Sequence, residues 1–371
     1  MKSRAAVLFE RPGRYEVVEV DVDPPKDHEV VVRYVASGLC HSDIHFLTGQ
    51  HVGPLPFCAG HEGAGVVEEV GSGVRGLEVG DHVVASFIPS CGKCRYCASG
   101  RTNLCQLGAH LQLGPMPDGT YRMHYQGQDL HQFLLISTFS QRAVVLSDSL
   151  VKVPDDVPLD TVCLLGCGVG TGVGSAINAA RVRPGDNVLV LGAGGVGASA
   201  VQGAALAGAA TVVVVDPVPF KREMAEKFGA THTFGDVAEA TDFLRSISDG
   251  QGADSAILAM GVPTNRDVAA AVDAIGKGGV VVLTGMAAVA EPIGIPVHLL
   301  ALAGLQKSIT GALFGMCSPP VDILRQVDLY RAGKLRLDEM ITRRYSLDEI
   351  NVAVDDMLEG RNIRGVIVHD H

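Results

Sequence analysis

The chain has 371 residues, 47% of them apolar, with 30 Lys and Arg against 41 Asp and Glu for a formal charge of −11. That length and apolar content suit two or more domains with ordinary cores, and the acidic balance argues against nucleic acid or an anionic membrane as partner. No stretch approaches the roughly 18 uninterrupted apolar residues of a membrane span, and "MKSRAAVLFERPGRYEV" has no long apolar run or signal peptide, so a cytoplasmic protein with reduced thiols is expected.

In chain order, the first 150 residues read as β-rich. "EVVVRYVA", "AGVVEEVG" and "GDHVVASF" are short β-branched runs bounded by glycine or charged turns, and they predict a barrel-like β domain. Next comes "CGKCRYCASGRTNLC", residues 91–105, with Cys91, Cys94 and Cys97 in two overlapping C-x-x-C units and Cys105 eight residues on. In a reducing compartment this spacing predicts metal rather than disulfides, and four thiolates fill a tetrahedral zinc shell and leave no position for substrate. The cluster is therefore expected to be structural. Gly92, Lys93, Arg95 and Arg101 suit a tight loop wrapped around negative sulfurs.

From about Arg181 the pattern changes. "NVLVLG" and "TVVVVD" read as buried strands, "GGVGASAVQGAALAGA" and "PFKREMAEKFGA" as helices, and "DSAILAMG" and "GGVVVLTGM" continue the alternation, which predicts a doubly wound parallel sheet. After residue 314, "PPVDILRQVDLYRAGKLRLDEMI" reads as a helix and its exit. "RGVIVHDH" reads as a strand that returns to the first domain.

The run "NVLVLGAGGVG" places Gly192, Gly194 and Gly197 in G-x-G-x-x-G spacing after a strand, at the opening of a helix, with a second strand ending in Asp216. That context marks a dinucleotide site: the backbone approaches the pyrophosphate and the helix N-terminus offers N–H groups to it. Asp216 is expected to accept hydrogen bonds from the adenosine ribose and to repel a 2′-phosphate, favouring NAD over NADP. Lys221 could reach the same ribose.

Five cysteines lie outside the cluster: Cys40, Cys58, Cys163, Cys167 and Cys317. "GLCHSDIH", "FCAGHEGAG" and "LLGCGVGTG" hold candidate ligands. A set of two cysteines and one histidine would leave the fourth position of a zinc ion open for water or an alcohol. Spacing alone does not choose Cys167 over Cys163, or His61 over His41 or His45.

Taken together, "GLCHSDIH", "GHEGAGVV", "GDHV", "CGKCRYCASGRTNLC", "LLGCGVGTG", "GAGGVG", "VVDP" and "NIRGVIV" resemble, in order and over almost the whole chain, the zinc-dependent alcohol dehydrogenases of the medium-chain dehydrogenase/reductase superfamily. The resemblance implies a GroES-like β-barrel catalytic domain over 1–168 with the structural zinc lobe at 91–105. It further implies an NAD-binding Rossmann domain over 169–313 and a return to the catalytic domain over 314–371. It puts the catalytic zinc on Cys40, His61 and Cys167 and the structural zinc on Cys91, Cys94, Cys97 and Cys105. Cys58, Cys163 and Cys317 match no ligand and are expected inside. Ser42 matches the hydroxyl that touches the alcohol oxygen, His45 the end of the proton relay, Glu62 the carboxylate behind the zinc, and Asp43 the partner of the metal-bound histidine. His41 and Arg364 match pyrophosphate contacts, Thr171 and Val196 residues along the nicotinamide, and Phe87 an aromatic of the substrate pocket.

The activity implied is interconversion of an alcohol with its aldehyde or ketone by hydride transfer to or from NAD, in a homodimer or tetramer paired through the nucleotide domains. "NLCQLGAHLQLGPMPDGTYR" and "VVVDPVPFKREMAEKFGATH" resemble the actinobacterial members named for nitroso-dimethylaniline as artificial acceptor, a group associated with tightly retained NAD(H). A rival is a glutathione- or mycothiol-dependent formaldehyde dehydrogenase. The glutathione class carries an anion-binding arginine where this chain has Ala109. A rival of another class is a non-catalytic zinc and nucleotide-binding redox sensor built on the four-cysteine lobe.

Overall fold

A computed structural model describes residues 1–112, 114–286 and 294–371. The chain divides into two compact units, one of Met1–Cys167 with Ser318–His371 and one of Gly168–Cys317.

The first unit holds a closed barrel and a seven-stranded sheet. The barrel is built from Lys2–Leu8, Glu16–Val22, Met123–Tyr125, Gln128–Gln132 and Phe57–Cys58. The β-branched runs that stand out in the sequence lie instead in the sheet, as Glu29–Gly38, Glu62–Val70 and His82–Ala85. Alternation along the strands explains how two cores coexist, because successive side chains point to opposite faces. Ala5, Val7 and Val31 enter one core; Ala6, Leu8, Val30 and Val32 enter the other. The strand Arg364–Val368 pairs antiparallel with Glu29–Gly38, with Val366 opposite Gly38. The C-terminal strand thus lies in the same sheet as Glu29–Gly38.

A buried ion pair ties the strand Glu29–Gly38 to the segment that leads into the barrel strand Met123–Tyr125. Arg122 is fully buried; its Nε and Nη2 donate to the two oxygens of Glu29 at 2.7 and 2.6 Å, and Nη2 also meets Asp118 at 2.8 Å. Removing one partner leaves the other charged in a desolvated place. Arg122→Met is therefore expected to cost about 3–5 kcal/mol of stability, much of which Glu29→Leu in the same chain should restore. Chemical denaturation of the single and double variants measures both numbers.

The second unit is a six-stranded, wholly parallel sheet. Numbered in chain order from Asn187–Leu191, its strands are arranged 3-2-1-4-5-6, the doubly wound order. Val188, Leu189 and Val190 are buried on both faces, as a parallel sheet covered by helices requires. The chain order reverses direction at Asn187–Leu191, so the open crevice of this topology lies beyond that strand's carboxyl end. Among the described residues no single helix is long and apolar enough to cross a membrane.

Candidate metal centres and nucleotide turn

Cys40 ends a strand exit in extended backbone and caps the helix His41–Thr48. Asp43, in that helix's first turn, does two jobs with one carboxylate. Its Oδ2 accepts from the backbone N–H of Cys40 at 3.1 Å, and its Oδ1 lies 3.0 Å from His61 Nδ1. The imidazole is thereby held with Nδ1–H donating, which turns Nε2 outward as a lone pair. His61 Nε2 is buried and has no hydrogen-bonding partner among the described residues. An orphaned acceptor in a core is costly, unless its partner is a group added later.

The other ligand candidates surround it. The 3₁₀ turn Cys163–Gly166 delivers Cys167, and a Cβ at Gly166 would sit 2.5 Å from the carbonyl oxygen of Ala85, so glycine lets this turn press against the strand. Atoms of Cys40, His61, Glu62 and Cys167 all lie within 4.8 Å of one another. Cys163 is buried elsewhere, its thiol 3.6 Å from the carbonyl of Asp160. Cys58 and Cys317 are also buried. Two sulfurs, one imidazole and a fixed second shell are the donor set of a zinc site with an open position, and the residues fit such an ion.

The electrostatics follow from crowding. Donation from the Cys167 thiol, with the Asp43-held imidazole nearby, holds the Cys40 thiol well below its ordinary value against the opposing effect of burial; Cys167 is raised in turn, by that donation and by its own burial. Burial opposes charge on His61, but Asp43 and the Cys40 sulfur together raise it. Burial pushes the Glu62 carboxyl up to about 7 against the opposing pull of Arg364. Arg364 donates to Glu62 and, at 3.2 Å, to the carbonyl of Leu39. A Cβ at Gly38 would lie 2.3 Å from Glu62 Oε2 and 2.9 Å from Arg364 Nη2, so glycine makes room for this pair.

Around the metal ligands, Phe87 and Phe133 meet the His61 ring edge-on at 5.9 and 5.6 Å. Phe133 carries no local signal of this role: it is placed by a turn in which Leu134, Leu135 and Ser137 all have positive φ. Ser42 Oγ lies 3.9 Å from Cys40 Sγ. His45 is buried, with Nδ1 on the Oε1 of Gln50, and its ring is 5.8 Å from that of exposed His41 and 5.3 Å from that of buried His51. Sequence reasoning singled out neither Gln50 nor His51.

The second cluster is closed. Atoms of Cys91, Cys94, Cys97 and Cys105 lie within 4.8 Å of one another. The Cys97 and Cys91 backbone N–H groups approach Cys94 Sγ at 3.4 Å and Cys105 Sγ at 3.5 Å. Backbone donation from Cys97 holds the Cys94 thiol down to about 6, while burial raises Cys97 to about 12. Four sulfurs fill this shell, which fits structural zinc. The guanidiniums of Arg95 and Arg101 lie 4.5 and 5.4 Å from the Tyr96 ring centroid, so they brace the lobe through an aromatic as well as through charge. Ala109 is exposed in the short turn that follows.

In the second unit, each fingerprint glycine has its own reason. Gly192 has φ +93; a Cβ at Gly197 would lie 1.8 Å from the carbonyl oxygen of Gly192; and around Gly194, at the start of helix Gly195–Leu206, nothing lies within 4 Å of the added carbon. That open cradle at a helix N-terminus fits a pyrophosphate. A Cβ at Gly172 would sit 2.2 Å from the Val196 carbonyl oxygen, so the helix carrying Thr171 rests directly on the one carrying Val196. Asp216 is buried, and its oxygens accept from Ala193 N–H at 2.8 Å and Val218 N–H at 2.9 Å. Among the described residues Lys221 makes no hydrogen bond to Asp216; the cation on that residue is Arg222, through the Asp216 carbonyl at 2.7 Å.

Comparison with known proteins adds to this geometry. Residues 26–155 match the profile of the alcohol dehydrogenase GroES-like domain and residues 195–327 that of zinc-binding dehydrogenases. The NDMA-dependent alcohol dehydrogenase of Amycolatopsis methanolica is 48% identical, across 100% of this chain and 99% of its own. The S-(hydroxymethyl)glutathione dehydrogenase of Komagataella pastoris is 40% identical, across 99% and 97%. The crystal structure of benzyl alcohol dehydrogenase from Acinetobacter calcoaceticus shares the fold with a TM-score of 0.91 at 32% identity, over all of both chains.

Proposed function

Because the chain belongs to the zinc-binding alcohol dehydrogenase family, with a zinc and a nicotinamide cofactor, we propose that it interconverts a small alcohol and its aldehyde or ketone with NAD held through successive turnovers. The observation that carries this is the convergence of Cys40, Cys167 and the unpartnered, buried His61 Nε2. When bound, zinc supplies a Lewis acid for the alcohol oxygen and the nicotinamide takes the hydride.

The chain's own residues do the rest. Asp43 keeps the His61 lone pair aimed at the ligand cluster. Phe87 and Phe133 flank that imidazole with apolar edges and limit water there. Ser42, close to Cys40, accepts the alcohol proton as it gives up its own, and buried His45 is the end of the relay. Asp216 takes the adenosine ribose hydroxyls with lone pairs left over from Ala193 and Val218. Its charge opposes a 2′-phosphate.

The resemblance and two surface features support pairing of two copies through the nucleotide unit. The strand Ser308–Gly311 is the edge of its sheet, and Leu299 and Leu300 are 81% and 75% exposed. All nine cysteines are without disulfides, in keeping with a cytoplasmic setting.

A panel of alcohols and aldehydes, run with NAD, with NADP and with an artificial acceptor, tests the reading. Simple alcohols should turn over without added thiol, and nucleotide extracted from denatured protein should be NAD(H). A strict requirement for glutathione or mycothiol would favour the formaldehyde dehydrogenase reading, which the 40% identity supports and Ala109 opposes. Preference for NADP would overturn the role of Asp216.

The relay has its own check. His45→Gln should slow alcohol oxidation most at low pH, where a proton is hardest to discharge, and by less than the roughly 10²–10⁴-fold of a general acid or base, since water can substitute. Zinc content should be unchanged. An unaltered pH–rate profile removes His45 from the proton path, and lost zinc moves it onto the metal.

A further inference from the structure

The cation on the adenosine side of the nucleotide turn is unassigned by the resemblance, and the structure gives it an anchored position. Asp216 ties two pieces of backbone together, the fingerprint turn at Ala193 and the approach to helix Pro219–Lys227 at Val218. Arg222, on the first turns of that helix, folds back over the same approach. Its Nη1 donates to the carbonyl oxygens of Asp216 at 2.7 Å and Pro217 at 3.1 Å. A Cβ placed on Gly235 would come 3.7 Å from that nitrogen, an ordinary contact, so the guanidinium passes alongside this facing loop.

A guanidinium has five N–H donors in a planar fork. The anchor occupies one nitrogen, and among the described residues no hydrogen bond is recorded for Nε or Nη2 of Arg222. Arg222 is half-buried, which suits a group presented to a ligand at the rim of a site. Fixed, planar and multiply donating, it has the geometry that binds phosphate in two-pronged fashion.

We propose that Arg222 and Asp216 together set the choice between the two nicotinamide dinucleotides: Arg222 is a phosphate-competent cation beside the ribose, and the Asp216 carboxylate keeps a 2′-phosphate away from it. This rests on reading the glycine turn as a dinucleotide site. It assigns the cofactor-discriminating cation to Arg222 rather than Lys221. It also means that the chain is one charge away from admitting the phosphorylated cofactor, because the attractive half of such a site is already built.

The test uses the full zinc-loaded chain, passed over charcoal to remove retained nucleotide, and calorimetric titration with 5′-AMP and with adenosine 2′,5′-bisphosphate. Asp216→Asn removes the charge and keeps one acceptor oxygen for the backbone, which serine or glycine would not. The wild type should bind AMP and discriminate against the bisphosphate. Asp216→Asn should gain bisphosphate binding, and adding Arg222→Ala should remove about tenfold or more of it, as expected for charge-assisted hydrogen bonds. AMP affinity should change little in that last step. Arg222→Lys should restore part of the gain, and Lys221→Ala should leave it intact. Circular dichroism and thermal melting separate a lost site from a lost fold.

If Asp216→Asn binds the bisphosphate equally well with and without Arg222, or if Lys221→Ala abolishes the gain, the assignment to Arg222 is wrong. If the wild type and every variant fail to bind AMP while remaining folded, the dinucleotide reading itself has failed, a result distinct from either of those.

Discussion

Cys167→Ser is expected to leave a folded protein that has lost its reactive metal and essentially all alcohol oxidation. The sulfur is one of two that converge with His61 Nε2, and a hydroxyl is a poor replacement for a thiolate on zinc. Changes outside the first coordination sphere cost about 10–100-fold in metal affinity or activity; removal of a ligand should exceed that. Cys40→Ser should behave alike. Zinc analysis should fall from two ions per chain to one, with the thermal midpoint little changed, because the ligands are carried on elements that pack through their own cores. The neighbouring Cys163→Ser is the control: its thiol lies on the carbonyl of Asp160, and it should keep both metals. A wild type with one zinc and full activity would refute the two-site reading.

Cys94→Ser should do the opposite. The segment 91–105 is held by short turns, with Gly92 and Gly100 at positive φ, and of its residues only Cys97, Asn103 and Cys105 are buried along with part of the preceding strand exit. So little apolar burial cannot order a loop by itself. Its order must come from four thiolates on one ion, whose binding is folding free energy, about 10–16 kcal/mol in small zinc peptides. Loss of one thiolate should forfeit several kcal/mol of that, seen as a lower thermal midpoint, faster proteolysis within 91–105 and poorer solubility. Activity per folded molecule should decline far less than in Cys167→Ser. Equal stability of Cys94→Ser and wild type would remove the structural metal from this lobe.

Different parts of this molecule were readable for different physical reasons. The parallel sheet was plain because its central strands are largely buried and so appear as unbroken β-branched runs, such as "NVLVL" or "TVVVV". The four-cysteine lobe was plain because its ligands are local. Two strands of the closed barrel were hidden: "QDLHQ" and "MHY" are short and largely polar, and they are strands only because of the partners they meet. The reactive ligands were hidden similarly. His61 and His41 are both flanked by small or polar residues, and what separates them is that one is buried on Asp43 and the other exposed. Resemblance to a family, not spacing, distinguished them. Phe133, Gln50 and Arg222 have no sequence signal at all, since each acquires its place from a backbone turn or a distant neighbour.

The strand Arg364–Val368 has a bearing on biosynthesis. Its partner Glu29–Gly38 and the carboxylate of Glu62 emerge from the ribosome early, and Gly168–Cys317 is a continuous stretch that can fold as soon as it is out. Until residue 364 is made, the first sheet lacks an interior strand and Glu62 lacks its counterion. The nascent protein therefore passes through a period in which its nucleotide unit is finished while its metal-bearing unit exposes open strand edges, the kind of surface that chaperones cover and that aggregates when they do not. A pause or a premature stop between residues 317 and 364 would release such a half-finished molecule, one able to fold around a dinucleotide yet without the scaffold to keep Cys40, His61 and Cys167 together.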